Sequence, residues 1–310
     1  MISVILPNFN GEALFKAHLN DTFLFFKSMG ITDIIIVDDA STDNSVTYLK
    51  ETFPEINVLV NKKNQGFSYT CNKGAKEAKE SILLFLNTDM LPQKLNLEFI
   101  LNQFKDPSLF ALSPKIERKD KSGIIINEAI TTGYFKGGWF SSEVTPDYEN
   151  HKNTSPFQIL WACGGACFIN KEKFVTLSGF DTAFSPFYCE DLDLSYRAWK
   201  QGWQILYTSE TSFFHQHQAT IGSYFSKKQI EQIHDANLYI FMWKNLSYPP
   251  FVLSHIFTVL LKIVTIQLRD IKAIIRAAKK IPYILKYRIS NSTSQSDPAI
   301  LKKWSSYYRK

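Results

Sequence analysis

The sequence predicts an α/β fold: a mainly parallel central sheet with helices on both faces, followed by a basic amphipathic helical tail. Three observations carry that expectation. Short apolar runs without alternation recur in the first ninety residues and are separated by stretches of helical spacing. Polar clusters sit directly after those runs. Charge is split along the chain: the net +6 over 310 residues resolves into 13 Lys+Arg against 2 Asp+Glu from Lys244 to Lys310, and 22 against 27 before it.

The elements follow in order. Ser3 to Pro7 is an apolar run ended by proline. Glu12 to Met29 carries helical spacing (Leu14, Phe15, Leu19, Phe23, Phe26) and closes at Gly30. Ile34 to Val37 is β-branched and unalternating, as a strand buried on both faces should be. Ser41 or Asp43 can cap the helix that runs through Leu49. Val58 to Val60 is a third strand, Phe67 to Lys79 a helix, and Ile82 to Leu86 a fourth strand. This βαβαβαβ order implies parallel strands. Residues 113–157, with Gly133, Gly137 and Gly138 among aromatics, read as a loop or hairpin region over the site. Ala166 to Asn170 and Gln204 to Tyr207 read as later strands, and Leu192 to Trp199 as an amphipathic helix.

Composition bounds the function. With 45% hydrophobic and 21% charged residues, the chain is an ordinary folded protein rather than a disordered one. Four cysteines are too few for a disulfide framework and suit a reducing compartment. The start, MISVILP, has no basic region ahead of its apolar run, so no standard signal peptide is expected. No apolar run reaches the roughly 18–20 uninterrupted residues of a spanning helix.

In parallel α/β sheets ligands sit at the carboxyl ends of the strands. Pro7-Asn8-Phe9-Asn10-Gly11 follows the first strand, Asp38-Asp39-Ala40-Ser41-Thr42-Asp43 the second, and Asn87-Thr88-Asp89 the fourth. Any one could be a capped turn. Three on one sheet edge, two of them acidic, favour a site. Neither G-x-G-x-x-G nor G-x-x-x-x-G-K-[ST] is present, so dinucleotide and P-loop sites are excluded. A diphosphate bound here needs another counter-charge. A divalent cation on Asp89 supplies one, and hard oxygen ligands suit Mg²⁺ or Mn²⁺.

The second half adds Gly164-Gly165, where backbone can approach a ligand closely. Cys163 and Cys167 lack a partner pair with zinc spacing. Glu190, Asp191 and Asp193 place three acids in four residues at a helix start. The helix dipole accounts for one or two of them. Their delivery by the apolar run Phe187-Tyr188-Cys189 suggests a carboxylate with a raised pKa, fit to act as a general base. His215 and His217 follow a strand, and either could be a metal or phosphate ligand.

The segments SVILPNFNG, IIIVDDASTDNS, NKKNQGFSYTCNKGAKEAK, LLFLNTD, GGACFINKEKF, GFDTAFSPFYCEDLDLSYRAWKQGW and HQHQATIG, in this order over residues 1–223, resemble the glycosyltransferase family 2 enzymes of the GT-A fold, especially rhamnosyltransferase-like bacterial members. The resemblance implies inverting transfer of a sugar from a nucleotide-diphosphate donor, a UDP- or dTDP-sugar, to an acceptor hydroxyl. It implies that Asp39 contacts the donor base or ribose with Asp38 in support. Pro7 and Asn10 would line that pocket, and Asn64, Gly66, Phe67 and Asn72 would close over it. Asn87, Thr88 and Asp89 would form the metal motif, Asn87 standing where the family has its first acid. Gly164, Gly165 and Asp193 would lie beside donor sugar and acceptor. Asp191 would be the catalytic base with Glu190 at its side. His215 would reach the metal, Mn²⁺ or Mg²⁺, with His217 as fallback. Processive relatives carry Q-x-x-R-W and several spanning helices. Neither is in this sequence, so addition of one or few sugars is expected.

The chain is therefore divided into a catalytic domain (1–243), a basic amphipathic helical region (244–289) and a polar, loosely ordered end (290–310). Placed at 100° per residue, Lys262, Arg269, Lys272, Arg276, Lys279, Lys280 and Lys286 fall on one arc. Ile263, Ile266, Ile271, Ile274, Ile275, Ile281, Ile284 and Leu285 fall opposite. Such a segment, 251–289, can lie on an anionic bilayer or pack on the protein. Peripheral contact at the cytoplasmic face of a membrane and a glycan or lipid-linked acceptor for surface polysaccharide are the expectations; nucleic acid is not expected. Two rivals stand beside this reading: a non-catalytic nucleotide-sugar binder, and a nucleotidyltransferase, which would want a glycine-rich basic loop after the first strand.

Overall fold

A computed structural model describes residues 1–145, 156–216, 224–266, 268–291 and 294–304. β1 (Ile2–Asn8) leads through α1 (Glu12–Leu14) and a π turn (Phe15–Leu19) into α2 (Asn20–Ser28), one helical run that ends at Gly30. β2 (Asp33–Asp38), α3 (Ser45–Thr52), β3 (Asn57–Val60), α4 (Phe67–Glu77) and β4 (Ile82–Leu86) follow. The order β3-β2-β1-β4 is parallel throughout. Val4, Ile5, Ile35, Ile36 and Leu83 to Leu86 are fully buried, which is why these runs show no alternation.

The other half of the sheet is mixed. β5 (Met90–Lys94), α5 (Leu97–Gln103), β6 (Leu109–Lys119), β7 (Ile125–Asn127), the hairpin β8 (Thr131–Lys136) and β9 (Trp139–Val144), β10 (Phe157–Gln158), β11 (Ala166–Asn170), α6 (Lys171–Thr176), α7 (Glu190–Lys200) and β12 (Gln204–His215) follow in the chain. β11 pairs antiparallel to both β4 and β6, and β12 parallel to β6. β12 also pairs antiparallel with β5, setting His215 opposite Met90. That register carries the end of the sheet back to Asp89.

The tail differs from the continuous helix expected. It comprises α8 (Lys227–Asn245), α9 (Pro249–Val264), α10 (Leu268–Ala278), α11 (Ile281–Ser290) and α12 (Asp297–Leu301). Left-handed Ile266 (φ 51) separates α9 from α10, and Pro282 opens α11. The single arc drawn from Lys262 to Lys286 is thus broken twice. Lys262 leaves it altogether: its Nζ lies 2.7 Å from Asp270 and 4.0 Å from the Trp139 ring centre. α10 buries Ala273 and Ala277, so the tail packs on the protein through its small residues.

The 131–144 hairpin, within the 113–157 region expected over the site, packs its turn on the tail. Gly137 and Gly138 both have positive φ, as a two-residue hairpin turn requires. Gly138 accepts from His255 at 2.8 Å, and a Cβ there would lie 2.0 Å from the Thr258 hydroxyl. Phe135 stacks on Phe251 with ring centres 4.2 Å apart. The chain end is also docked rather than loose between Ser294 and Trp304. Asp297 is fully buried and accepts from Tyr196 and from the Ser247 and Tyr248 amides, each at 2.7 Å, while Trp304 is buried on Trp199.

Candidate active site

The first polar cluster is built by β1 and β2. Asn8 donates to the buried Asp38 carboxylate at 2.7 Å, and Asp38 also accepts from the Ser41 amide (2.9 Å) and hydroxyl (2.5 Å). Ser41 therefore shapes the turn instead of capping α3. Asp43 accepts from the Ser45 amide that opens that helix. Asn10, at φ 52, accepts from the Thr42 amide at 2.7 Å and donates to Tyr224 at 2.6 Å. Pro7 is half-buried beside it, at the end of β1.

Asp39 is 4% exposed, and its carboxylate accepts from Asn61 (2.8 Å) and from the amides of Gln65 (2.9 Å) and Gly66 (2.8 Å). Asp39 thus holds the segment that leads into α4. Gly66 has φ 85, and a Cβ on it would lie 2.9 Å from the Pro186 carbonyl, so only glycine fits this approach. Phe67 sets its ring edge on Phe180. Asn64 is exposed on the same segment. Asn72 does not join the opening: its amide donates to the Phe180 carbonyl (2.7 Å) and accepts from the Phe180 amide (2.9 Å). It fastens α4 to the 179–180 turn.

Two glycines join the acidic clusters. The Gly164 amide donates to Asp191 Oδ2 at 3.1 Å, and the Gly165 carbonyl accepts from the Asn87 amide at 2.8 Å. A Cβ at Gly164 would touch both Asp191 and the Phe67 ring, so these three meet. Asn87, Thr88 and Asp89, all half-buried, turn tightly into β5. Asp89 Oδ2 lies 3.3 Å from His215 Nε2, and His215 Nδ1 lies 2.9 Å from Glu128. Burial disfavours the charged imidazole, but the hydrogen bonds to Asp89 and Glu128 outweigh it and raise His215 to about 9. Glu128 also pairs with Arg118. Sequence reasoning missed Glu128, which sits just past β7 in a stretch with no motif. His217 lies outside the described residues.

A carboxylate oxygen and an imidazole nitrogen converge here, a donor set that suits Mn²⁺ or Mg²⁺ completed by other oxygens. Among the described residues no three His, Cys, Asp or Glu side chains form a ready cation cage. Burial pushes Cys163 up to about 12 and Cys167 well above the ordinary thiol value, so neither is a thiolate at neutral pH.

α7 opens on a strained turn. Tyr188 (φ 73) and Cys189 (φ 71) are both left-handed without being glycine. The side chain of Asn237, from α8, donates to the carbonyls of Phe184, Phe187 and Tyr188 and holds that turn, a role the sequence does not signal. Burial raises the Asp191 carboxyl, while the Gly164 and Leu192 amides hold it back in part. Glu190 is 8% exposed, and burial together with the Asp191 charge pushes it well above the usual carboxylate range. Its Oε2 has no hydrogen-bond partner among the described residues. Asp193 is a correction. It is fully buried, and it accepts from Arg197 (2.7 Å), Lys244 (2.8 Å) and Asn245 (2.8 Å). Its oxygens are spent on packing α7 against α8.

The sequence pattern of the family described as Glycosyl transferase family 2 matches residues 3–176. An uncharacterized glycosyltransferase of Haemophilus influenzae is 35% identical over 96 residues, which are 30% of this chain and 32% of that protein. One from Nostoc is 28% identical over 135 residues, 43% and 41% of the two chains. An N-acetylgalactosaminyltransferase 7 of Drosophila melanogaster is 26% identical over 193 residues, 56% and 32% of the two chains. The chain thus spans less than half the length of each of these relatives. Among solved structures, GalNAc-T7 with UDP, GalNAc and Mn²⁺ is similar at TM-score 0.61 and 16% identity, over 79% of this chain and 48% of that one. The mannosyltransferase PcManGT of Pyrobaculum calidifontis with GDP-Man and Mn²⁺ is similar at 0.53 and 15%, over 99% and 79%. These likenesses identify the fold as GT-A.

Proposed function

The chain belongs to glycosyl transferase family 2, and from that premise we propose that it transfers a hexosyl or rhamnosyl unit, with inversion, from a UDP- or dTDP-sugar to a hydroxyl of a glycan or lipid-linked acceptor. The observation that carries the reading is the Gly164-Gly165 pair. It ties Asp191, whose pKa is raised, to the segment that bears Asp89.

An acceptor hydroxyl has a pKa far above 7 and needs a base as it attacks. Asp191, dry enough to hold a proton but pinned by two amides, is that base. Glu190 beside it is raised too, by burial and by the Asp191 charge, so this end of the helix disfavours a second charge. Asp39 holds the nucleoside. Its carboxylate has about four acceptor positions, and the Asn61, Gln65 and Gly66 donors leave room for one ring N–H of uracil or thymine. Asp38 supports Asp39 through the turn. Pro7, Asn10, Asn64, Gly66 and Phe67 bound the nucleoside, and Asn87 and Thr88 face its phosphates. Gly164 and Gly165 let the backbone pass close to Asp191 and Met90, beside the place we give donor sugar and acceptor. Asp89 and His215 would hold a divalent cation, with Glu128 fixing the far side of the imidazole. When bound, that cation supplies Lewis-acid stabilisation of the departing diphosphate. Transfer is a single displacement, so no covalent nucleophile is required.

Free cysteines suit a reducing compartment, and we place the enzyme at the cytoplasmic face of a membrane, where lipid-linked acceptors for surface polysaccharide are met. The test is a thermal-shift panel of nucleoside diphosphates and nucleotide sugars with and without Mn²⁺. A ligand bound only by the folded state stabilises by about 2.7 kcal/mol at a hundredfold excess over Kd. A Mn²⁺-dependent rise for uracil or thymine nucleotides is expected. No rise with any nucleotide overturns the donor site. A rise without turnover on any acceptor favours a binder over an enzyme.

A further inference from the structure

The tail leaves one helix face uncovered. On α9, Leu253, Ile256, Phe257, Leu260, Leu261 and Val264 recur at helical spacing, and all are exposed, from 51% at Ile256 and Leu261 to 76% at Val264. The opposite face is docked. His255 is buried between the Gly138 carbonyl and the Trp243 indole, which donates to it at 3.0 Å, and Lys262 is tied to Asp270. The orientation of α9 is therefore fixed by polar contacts on its inner side, and the apolar side faces out by construction. Ile266, and Ile275, Leu285 and Ile289 on the next two helices, are exposed as well.

Charge decides what covers it. Lys272, Arg276, Lys279, Lys280 and Lys286 are exposed along α10 and α11. Asp270 is the only acid from Pro249 to Ser290, and it is engaged by Lys262 and Tyr239. A second copy would bring the same cations against each other. An anionic surface would match them. α9 has 16 residues, about 24 Å at ~1.5 Å per residue, short of the ~30 Å of a bilayer core. Among the described residues no helix is long and apolar enough to cross a membrane.

We propose that the outer face of α9, flanked by the cations of α10 and α11, docks on an anionic lipid bilayer, lying in its interface without crossing it. The docked helix is joined to the reaction centre by short steps. Its inner face holds the hairpin turn at Gly138, and β8 of that hairpin exchanges hydrogen bonds with Trp161 through Thr131 (2.6 and 2.9 Å), three residues before Gly164. The proposal deepens the reading of a membrane-presented acceptor and rests on it only for that biological sense, since the lipid contact is measurable alone.

The experiment is flotation of the full chain with vesicles of phosphatidylcholine containing phosphatidylglycerol, or of phosphatidylcholine alone, at low and high salt. Partitioning into the anionic vesicles at least tenfold above the neutral ones, weakened by salt, is expected. Phe257→Ser with Val264→Ser should cut it at least tenfold, and K272Q with R276Q and K279Q should remove the preference for anionic lipid. All these sites are exposed, so each variant should keep the wild-type Tm and the wild-type Mn²⁺-nucleotide thermal shift. No partitioning of the wild type, or unchanged partitioning of the serine variant, overturns the proposal. So does a wild-type dimer in sedimentation that the serine variant makes monomeric, which would assign the face to a second copy. If vesicles bind but nucleotides give no shift, the donor reading falls and the docking face stands; the reverse result sinks only the docking face.

Discussion

Asp191 and Asp193 stand two residues apart at the start of one helix and live in opposite electrostatic worlds. Asp193 is met by Arg197, Lys244 and Asn245. Asp181, which shares Lys244, is penalised by burial but brought below its ordinary value by that ammonium. Asp191 and Glu190 are met by amides and apolar side chains, and both are raised. Burial is common to the two sides. What separates the neutralised acids from the raised ones is the cation, and the cation comes from α8, far along the chain. Lys244 itself is lowered by burial, against which Asp193 and Asp181 pull it back.

The largest effect should come from breaking the structural side. Lys244→Met leaves Asp181 and Asp193 buried without their ammonium, which costs about 3–5 kcal/mol. Urea denaturation at pH 7 should show that loss; a loss under 1 kcal/mol would mean that Arg197 and Asn245 suffice. On the chemical side, Asp191→Asn should lower the transfer rate by about 10²–10⁴-fold, the range of a positioned general base, without lowering the Tm. If the rate stays at the wild-type value, Asp191 is not the base. The two variants together test whether stability and turnover divide along this helix.

A smaller effect probes the cation pair. Glu128→Ala should weaken Mn²⁺ binding by about 10–100-fold, the usual consequence of losing the group that orients a metal-binding histidine. Glu128→Gln, which can still accept from Nδ1, should recover part of it. Titration of free Mn²⁺ by electron paramagnetic resonance reads this without turnover. Equal affinities in both variants and the wild type would leave Glu128 as a simple partner of Arg118.

The same division explains what the sequence revealed. β1, β2 and β4 were legible because buried parallel strands are continuous apolar runs, and the polar residues that end them can be read directly. Asp39, Gly164 and the acid cluster around Asp191 could be picked out from local pattern plus topology, whereas Gly66 and Phe67 came only from the family resemblance. Asn72 and Asp193 could not be sorted, because their partners, Phe180 and Lys244, lie 108 and 51 residues away. Nothing in a string marks a carboxylate as neutralised from afar. Glu128 was invisible for the same reason: its meaning comes from His215, 87 residues on. In the tail the periodicity was real, but a 100° projection assumes one unbroken helix. Ile266 and Pro282 reset the phase, so the apolar face fell on α9 instead of the segment from Lys262 onward. Asp297 looked like part of a polar end because its partners, Tyr196 and Lys200, belong to α7.

The smallest effect concerns Glu190 and carries a sign. Its folded pKa lies above the ordinary carboxylate value of 4.5, so between the two values the folded protein holds a proton that the unfolded chain has released. Unfolding then releases a proton, and stability falls as pH rises through that window. It is fully present below the unfolded pKa and is lost by the time pH passes the folded one. Glu190→Gln abolishes this dependence, because glutamine does not titrate. The variant should therefore gain on the wild type as pH climbs from about 4.5, by on the order of 1 kcal/mol, the low end of what an unsatisfied buried polar group costs. Asp191 titrates in both proteins and drops out of the difference to first order. Urea midpoints from pH 5 to pH 8 measure it. A difference that does not change with pH would mean that Glu190 is ionised in the fold, and that the dry side of the helix is wetter than its geometry.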